Sequence, residues 1–95
     1  MNFRQLKAFD TVMRLGSITG AAKALHVSQP SVTRLVHELE THLGFALFLR
    51  RGRGIAATVE ARRFHQAVES AFMNIERLDD LAATIRKTAV GKVSV

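Results

Sequence analysis

The stretch Ala21-Ala22-Lys23-Ala24-Leu25-His26-Val27-Ser28-Gln29-Pro30-Ser31-Val32-Thr33-Arg34 decides how the chain is read. Just before it, Ser17 is placed to cap a short helix over Ile18 to Leu25, in which Ala21 and Ala22 let another backbone approach closely. After a break at His26 and Val27, Ser28 caps a further helix with Pro30 in its first turn, where a missing N–H does no harm. Val32, Leu35, Val36, Leu39 and Leu43 form the apolar stripe of that helix and Gly44 ends it. Gln29, Ser31, Thr33, Arg34 and His37 occupy the opposite, polar face. Residues 18–37 thus have the internal logic of a helix-turn-helix, with Ala22 at the crossing and Leu25, Val27, Val32 and Leu35 locking the pair. Such a motif turns the polar face of its second helix outward, into a DNA major groove. Simple solvation also produces a polar face, and glycine is common in such turns where His26 stands, so the pattern alone leaves both readings open.

Working outward, Phe3, Leu6, Phe9, Val12 and Met13 recur at helical spacing and predict a first helix from Phe3 to Leu15, closed by Gly16. Downstream, Leu47-Phe48-Leu49 and Ile55-Ala56-Ala57 flank Arg50-Arg51-Gly52-Arg53-Gly54, which reads as a β-hairpin with an arginine-rich, glycine-containing tip. Thr58 then caps a long helix with Glu60 in its first turn, where the helix dipole favours a negative charge. Ala61, Phe64, Val68, Ala71, Ile75, Leu78, Ala82 and Ile85 follow in alternating steps of three and four, a heptad seam. From Thr58 to Lys87 this rod is roughly 45 Å long, more than the preceding residues can cover, and a second copy of the chain is the simplest cover. Phe72 and Leu81 widen the stripe toward a partner's first helix. Gly91-Lys92-Val93-Ser94-Val95 alternates like a strand and reads as the threshold of a further domain.

The 95 residues suffice for one small domain, and 47% hydrophobic content with a single proline implies a real core. Fourteen Lys and Arg against 8 Asp and Glu leave a net charge of +6, of which +5 lies in residues 1–54, a polarity that suits a polyanion. With no cysteine, disulfides and thiolate metal sites are excluded. No apolar run approaches the roughly 20 residues of a membrane span, and Arg4 and Lys7 have no apolar segment behind them as in a signal peptide, so a cytoplasmic protein is expected. Enzymatic readings fail on spacing. His37-Glu38-Leu39-Glu40-Thr41-His42 sets its histidines five apart, one too many for a zinc pair on one helical face. Gly52-x-Gly54 lacks the rest of a nucleotide loop, and no nucleophile triad has support. Neither a cofactor nor a metal is expected.

Phe3-Arg4-Gln5-Leu6-Lys7-Ala8-Phe9, Gly16-Ser17-Ile18-Thr19, the stretch from Ala21 to Arg34, Leu39-Glu40 and Leu43-Gly44 together resemble the N-terminal signature of the LysR-type transcriptional regulators. After the wing the family usually shows Thr-Pro-x-Gly where this chain has Thr58-Val59-Glu60-Ala61. Glu60-Ala61, Ala71-Phe72 and Leu81-Ala82-Ala83 look most like the regulators of octopine and nopaline catabolism. The resemblance implies a mainly α fold: a winged helix-turn-helix of three helices plus a β-hairpin wing in residues 1–58, then a dimerising linker helix in 59–88. Residues 89–95 would begin a C-terminal effector-binding domain that senses a small-molecule inducer. It also implies a homodimer, tetrameric at full length, that binds an interrupted inverted repeat in a promoter.

By the same analogy Gln29, Pro30, Ser31, Thr33 and Arg34 lie in the major groove of double-stranded DNA, with His37 beside them. Gln29 would meet an adenine edge or a phosphate, Pro30 and Thr33 a thymine methyl, and Arg34 a guanine or a phosphate. Arg51 and Arg53 enter or flank the minor groove, while Ser17, Thr19, Lys23 and Arg50 make phosphate contacts. Lys23 and Arg50 could equally be solvated, and His37 could bond its own helix. Phe64, Val68, Ala71, Phe72, Ile75, Leu78, Leu81, Ala82 and Ile85 are the expected dimer contacts. The alternative from another class is a protein-interaction or oligomerisation module whose basic tip only solubilises it.

Overall fold

Six elements follow one another in a computed structural model that describes the backbone of residues 1–93 and the side chains of residues 1–89. They are α1 (Phe3–Leu15), α2 (Ile18–Leu25), α3 (Gln29–Leu43), β1 (Phe48–Arg51), β2 (Gly54–Ala57) and α4 (Val59–Val93). The fold is mainly α, three helices with a β-hairpin wing and a longer final helix, as the sequence predicts.

Each helix begins where a side chain satisfies a free backbone donor. The Asn2 side chain accepts the Gln5 N–H at 2.9 Å while Gln5 returns the favour to the Asn2 N–H at 3.2 Å, a reciprocal box. Ser17 Oγ accepts the Gly20 N–H at 3.0 Å, Ser28 Oγ that of Ser31 at 3.2 Å, and Thr58 Oγ1 that of Ala61 at 3.0 Å. Thr58 thus starts α4 without the proline and glycine usual in the family.

The turn between α2 and α3 is closed by His26 in the left-handed region, at φ 58° and ψ 43°. Its position is that of a helix-ending glycine, and the Val27 N–H reaches back to the Ala22 carbonyl at 3.0 Å, six residues closing on one. A residue with a Cβ pays about 1–2 kcal/mol for this conformation. His26→Gly is therefore expected to raise the urea midpoint by the equivalent of about 1 kcal/mol, less the entropy glycine adds to the unfolded chain. A lower midpoint would mean that the imidazole contributes contacts that outweigh the strain.

Ala8, Phe9 and Val12 of α1, Ala21 and Ala22 of α2, and Val32, Leu35, Val36 and Leu39 of α3 form the buried core, with Leu47 before the wing and Ala61 and Val68 from α4. Phe9 is its centre: the rings of Phe48, Phe64 and His65 lie 5.9, 5.8 and 5.6 Å from its own. The wing is antiparallel, Phe48 opposite Ala57 and Arg51 opposite Gly54. Gly52 takes φ 56° at the first central turn position while Arg53 stays at negative φ, the pattern that matches the twist of a two-residue hairpin.

One expectation for α4 needs correction. Gly91 to Val93, expected to begin a strand, continue the helix instead. A strand there has no neighbour to hydrogen-bond among the described residues, whereas each added helical residue is satisfied within its own segment. Ser94 and Val95 lie outside the described residues. The heptad seam, moreover, is not one surface. Val68 is 4% exposed in the chain's own core, Phe64 packs on Phe9 and on Phe45, and Phe72 lies 5.4 Å from Phe3 of the same chain's α1. These three, expected at the dimer contact, also pack within the chain because α1 runs past the root of α4, while Phe64 and Phe72 keep part of their surface exposed. Beyond them Ala71, Ile75, Leu78, Leu81, Ala82 and Ile85 are exposed, Leu78 to 63%.

Candidate nucleic-acid interface

The start of α2, the first turns of α3 and the wing meet around one open depression of about 320 Å³. Ser17 comes from the cap of α2 and Thr19 from its first turn, Gln29 and Thr33 from α3, and Arg50 and Arg53 from the wing, with no carboxylate among the lining residues. Alongside, Gln29, Pro30, Thr33, Arg34 and His37 line an open shelf along the outer face of α3. The local reason is the capping pattern: Ser28 and Pro30 start α3 where its apolar stripe faces α1, so the intervening polar positions turn outward.

Strand alternation sorts the arginines. Phe48 is partly buried against the core, so Arg50, two residues on, faces the same way, toward α3, while Leu49 and Arg51 are exposed on the opposite face. The structure thus brings Arg50 together with Arg53 and sets Arg51 apart. Lys23 is exposed but does not line the depression. Ser31 is turned back into the cap, its hydroxyl 2.8 Å from that of Ser28.

Arg34 pairs with Glu38 at 3.7 Å, a largely exposed contact that holds the guanidinium weakly and leaves it free to exchange partners. His37 does bond its own helix: its Nδ1 is 3.0 Å from Glu40 Oε1. The other oxygen of Glu40 accepts the Leu47 N–H at 2.7 Å and the Phe48 N–H at 3.4 Å, tying the entry of the wing to α3. Thr58 ties the exit, donating its hydroxyl to the Ala46 carbonyl at 2.8 Å while capping α4. Sequence reasoning missed Glu40, which looks like one more solvated acid; its place in the Leu39-Glu40 signature was the available signal. Asp10 and His65 were missed too, although an acid beside Phe9 on the apolar stripe of α1 signals a buried partner.

Among the described residues no group of three or more His, Asp or Glu side chains is placed to hold a metal ion. No described helix is long and apolar enough to cross a membrane.

The model of the bacterial regulatory helix-turn-helix proteins of the lysR family matches residues 3–62. The chain belongs to the LysR family. It is 38% identical over its whole length to the octopine catabolism/uptake operon regulatory protein OccR of Rhizobium meliloti, covering 32% of that protein. It is 37% identical over 92 residues to the regulatory protein NocR of Agrobacterium fabrum, covering 31% of it. This LysR-family chain thus spans about a third of the length of the curated relatives it matches. Among solved structures, the CbnR DBD–DNA complex superposes with a TM-score of 0.82 at 39% identity, over 88% of this chain and 97% of that one.

Proposed function

We propose that the chain is the sequence-specific DNA-binding part of a transcriptional regulator that acts in the cytoplasm as a homodimer and recognises an interrupted inverted repeat in a promoter. The observation that carries this reading is the convergence of Gln29, Thr33, Arg50 and Arg53 on one depression that contains no carboxylate. Residues 1–58 are the reading unit. Gln29 and Arg34 address base edges or phosphates in the major groove, and Pro30 and Thr33 supply contacts for thymine methyls. Arg51 and Arg53 enter or flank the minor groove from the wing, while Arg50, Ser17, Thr19 and Lys23 hold phosphates. His37 and Ser31 act at the edge of the face, through Glu40 and the α3 cap respectively.

Pairing falls to the exposed end of α4, where Ala71, Ile75, Leu78, Leu81, Ala82 and Ile85 offer an apolar stripe. The linker helix assigned to 59–88 gives way to a small-molecule-sensing domain, consistent with relatives about three times as long. Tetramer formation belongs to that longer protein.

Selection from a random duplex pool at about physiological salt, where nonspecific attraction is weakened, tests the reading. A spaced inverted repeat is the expected outcome; a featureless pool would overturn it. With the selected site in hand, Arg34→Ala is expected to lower the preference for it over random duplex by about 1–3 kcal/mol. Arg53→Ala should instead weaken binding to both and reduce the salt slope by about 1. Equal loss on both duplexes for Arg34→Ala would remove that residue from base readout.

A further inference from the structure

Asp10 sits in the apolar stripe of α1 and is 1% exposed. A carboxylate so placed needs partners, and it has two. His65 of α4 donates its Nε2–H to Asp10 Oδ1 at 2.8 Å, and Arg14 Nε, one turn along α1, lies 3.1 Å from both carboxylate oxygens. The Asp10–His65 bond joins residues 55 apart in sequence and ties the winged body to the root of α4. An outer layer surrounds it: Glu69 lies 3.6 Å from His65 Nδ1 and 3.8 Å from the Arg14 guanidinium, on a half-exposed surface that contributes little.

The other contacts between α1 and α4 are of a different kind. Phe64 meets Phe9, Phe72 meets Phe3, and the Lys7 ammonium stands 5.5 Å from the centre of the Phe72 ring. Apolar packing is not directional, so by itself it holds α4 against the body while tolerating tilt and rotation. A buried carboxylate bonded to an imidazole on the other helix does not tolerate them, since a small displacement breaks the one bond that crosses between the helices and leaves the buried charge to Arg14 of its own helix alone.

We propose that Asp10 and His65 are positioning residues that set the angle at which α4 leaves the winged body, and with it the half-site spacing the dimer accepts. This rests on the dimeric reading above. From His65 to Leu78, within the exposed stripe, α4 rises about 20 Å. A tilt of about 10° at the root therefore moves one end relative to the other by about 3.5 Å, which is about one base-pair step. The clasp thus discriminates between inverted repeats differing by one base pair in their gap. Neither Asp10 nor His65 lines the reading face, so the effect is separable from half-site affinity.

The test uses the chain, an isolated half-site duplex and a ladder of inverted repeats whose gap changes in single base pairs. The double substitution Asp10→Leu with His65→Leu replaces the pair by apolar side chains and leaves no buried carboxylate unpaired. It is expected to stay folded and dimeric with an unchanged half-site affinity. The penalty for one base pair of wrong spacing should fall from about tenfold to about threefold or less, because loss of avidity by misfit needs a rigid linkage. His65→Gln keeps an N–H donor in reach of Asp10 and should retain the steep ladder. Should the double variant fail to fold, Asp10→Asn with His65→Leu reads the same ladder without a buried charge. A variant lacking the bond but keeping the original ladder would overturn the proposal, as would a His65→Gln ladder as flat as that of the double variant. If the unsubstituted chain binds every spacing as well as it binds one half-site, it is the dimeric reading that fails, before any variant is compared.

Discussion

Substituting Ile75→Asp together with Leu78→Asp is expected to yield a folded monomer whose affinity for a duplex carrying both half-sites falls by about 10²–10⁴-fold, while affinity for a single half-site is retained. The magnitude follows from geometry. Ile75 is 43% and Leu78 63% exposed in the single chain, so neither stabilises the winged body, and their substitution leaves the reading face intact. In the paired helices both would be buried, each large apolar side chain contributing about 1.5–3 kcal/mol, and a carboxylate in its place must shed its hydration without a partner. Without pairing, the second half-site no longer binds at the raised effective concentration set by the first. Sedimentation velocity and titration of one-site and two-site duplexes make the comparison. An unchanged dimer would move the interface off this stripe, and equal losses on both duplexes would show that the body itself was damaged.

Phe9→Ala is expected to cost about 3–5 kcal/mol of folding free energy, a large share of the roughly 5–15 kcal/mol that a small domain has. Phe9 is wholly buried, and its ring lies where α1, the wing through Phe48 and the root of α4 through Phe64 and His65 meet. Truncation removes the transfer energy of the ring and opens a cavity bounded by three elements that cannot all close on it at once. Urea unfolding followed by helical circular dichroism gives the value, and Phe9→Leu, which fills most of the space, should lose much less. A loss below about 1 kcal/mol for the alanine variant would mean that the three elements collapse onto the space, so that Phe9 packs beside them without holding them together.

Much of the polar face of α3 could be placed from the sequence because its logic is local. Ser28 and Pro30 start α3, and a period of 3.6 then puts Gln29, Thr33, Arg34 and His37 on the side away from Val32, Leu35 and Val36. The wing was legible as a hairpin, yet which arginine faces α3 depended on register, since a shift of one residue exchanges Arg50 with Arg51. That register follows from Phe48 entering the core beside Phe9, a contact between residues far apart in sequence. Glu40 was opaque for a similar reason: its partners, the Leu47 and Phe48 N–H groups, reach it only once the chain has turned back at Gly44.

The caps and periods of the chain determine where each helix begins, where most of them end and which faces are apolar, because these depend on hydrogen bonds and spacings within a few residues. His26 shows how far this reaches: the turn closes in a left-handed conformation without glycine, since the Val27-to-Ala22 bond and the flanking helices over-determine it. What covers an apolar stripe is a different kind of question. The heptad from Ala61 to Ile85 is continuous in sequence, but folding divides it, giving Ala61, Phe64 and Val68 to the chain's own core and leaving Ile75, Leu78 and Ile85 uncovered. A period states that a face seeks a partner; only the path of α1 past the root of α4 decides how much of that face is already occupied. The same packing brings His65 to Asp10, across a separation that no local pattern spans.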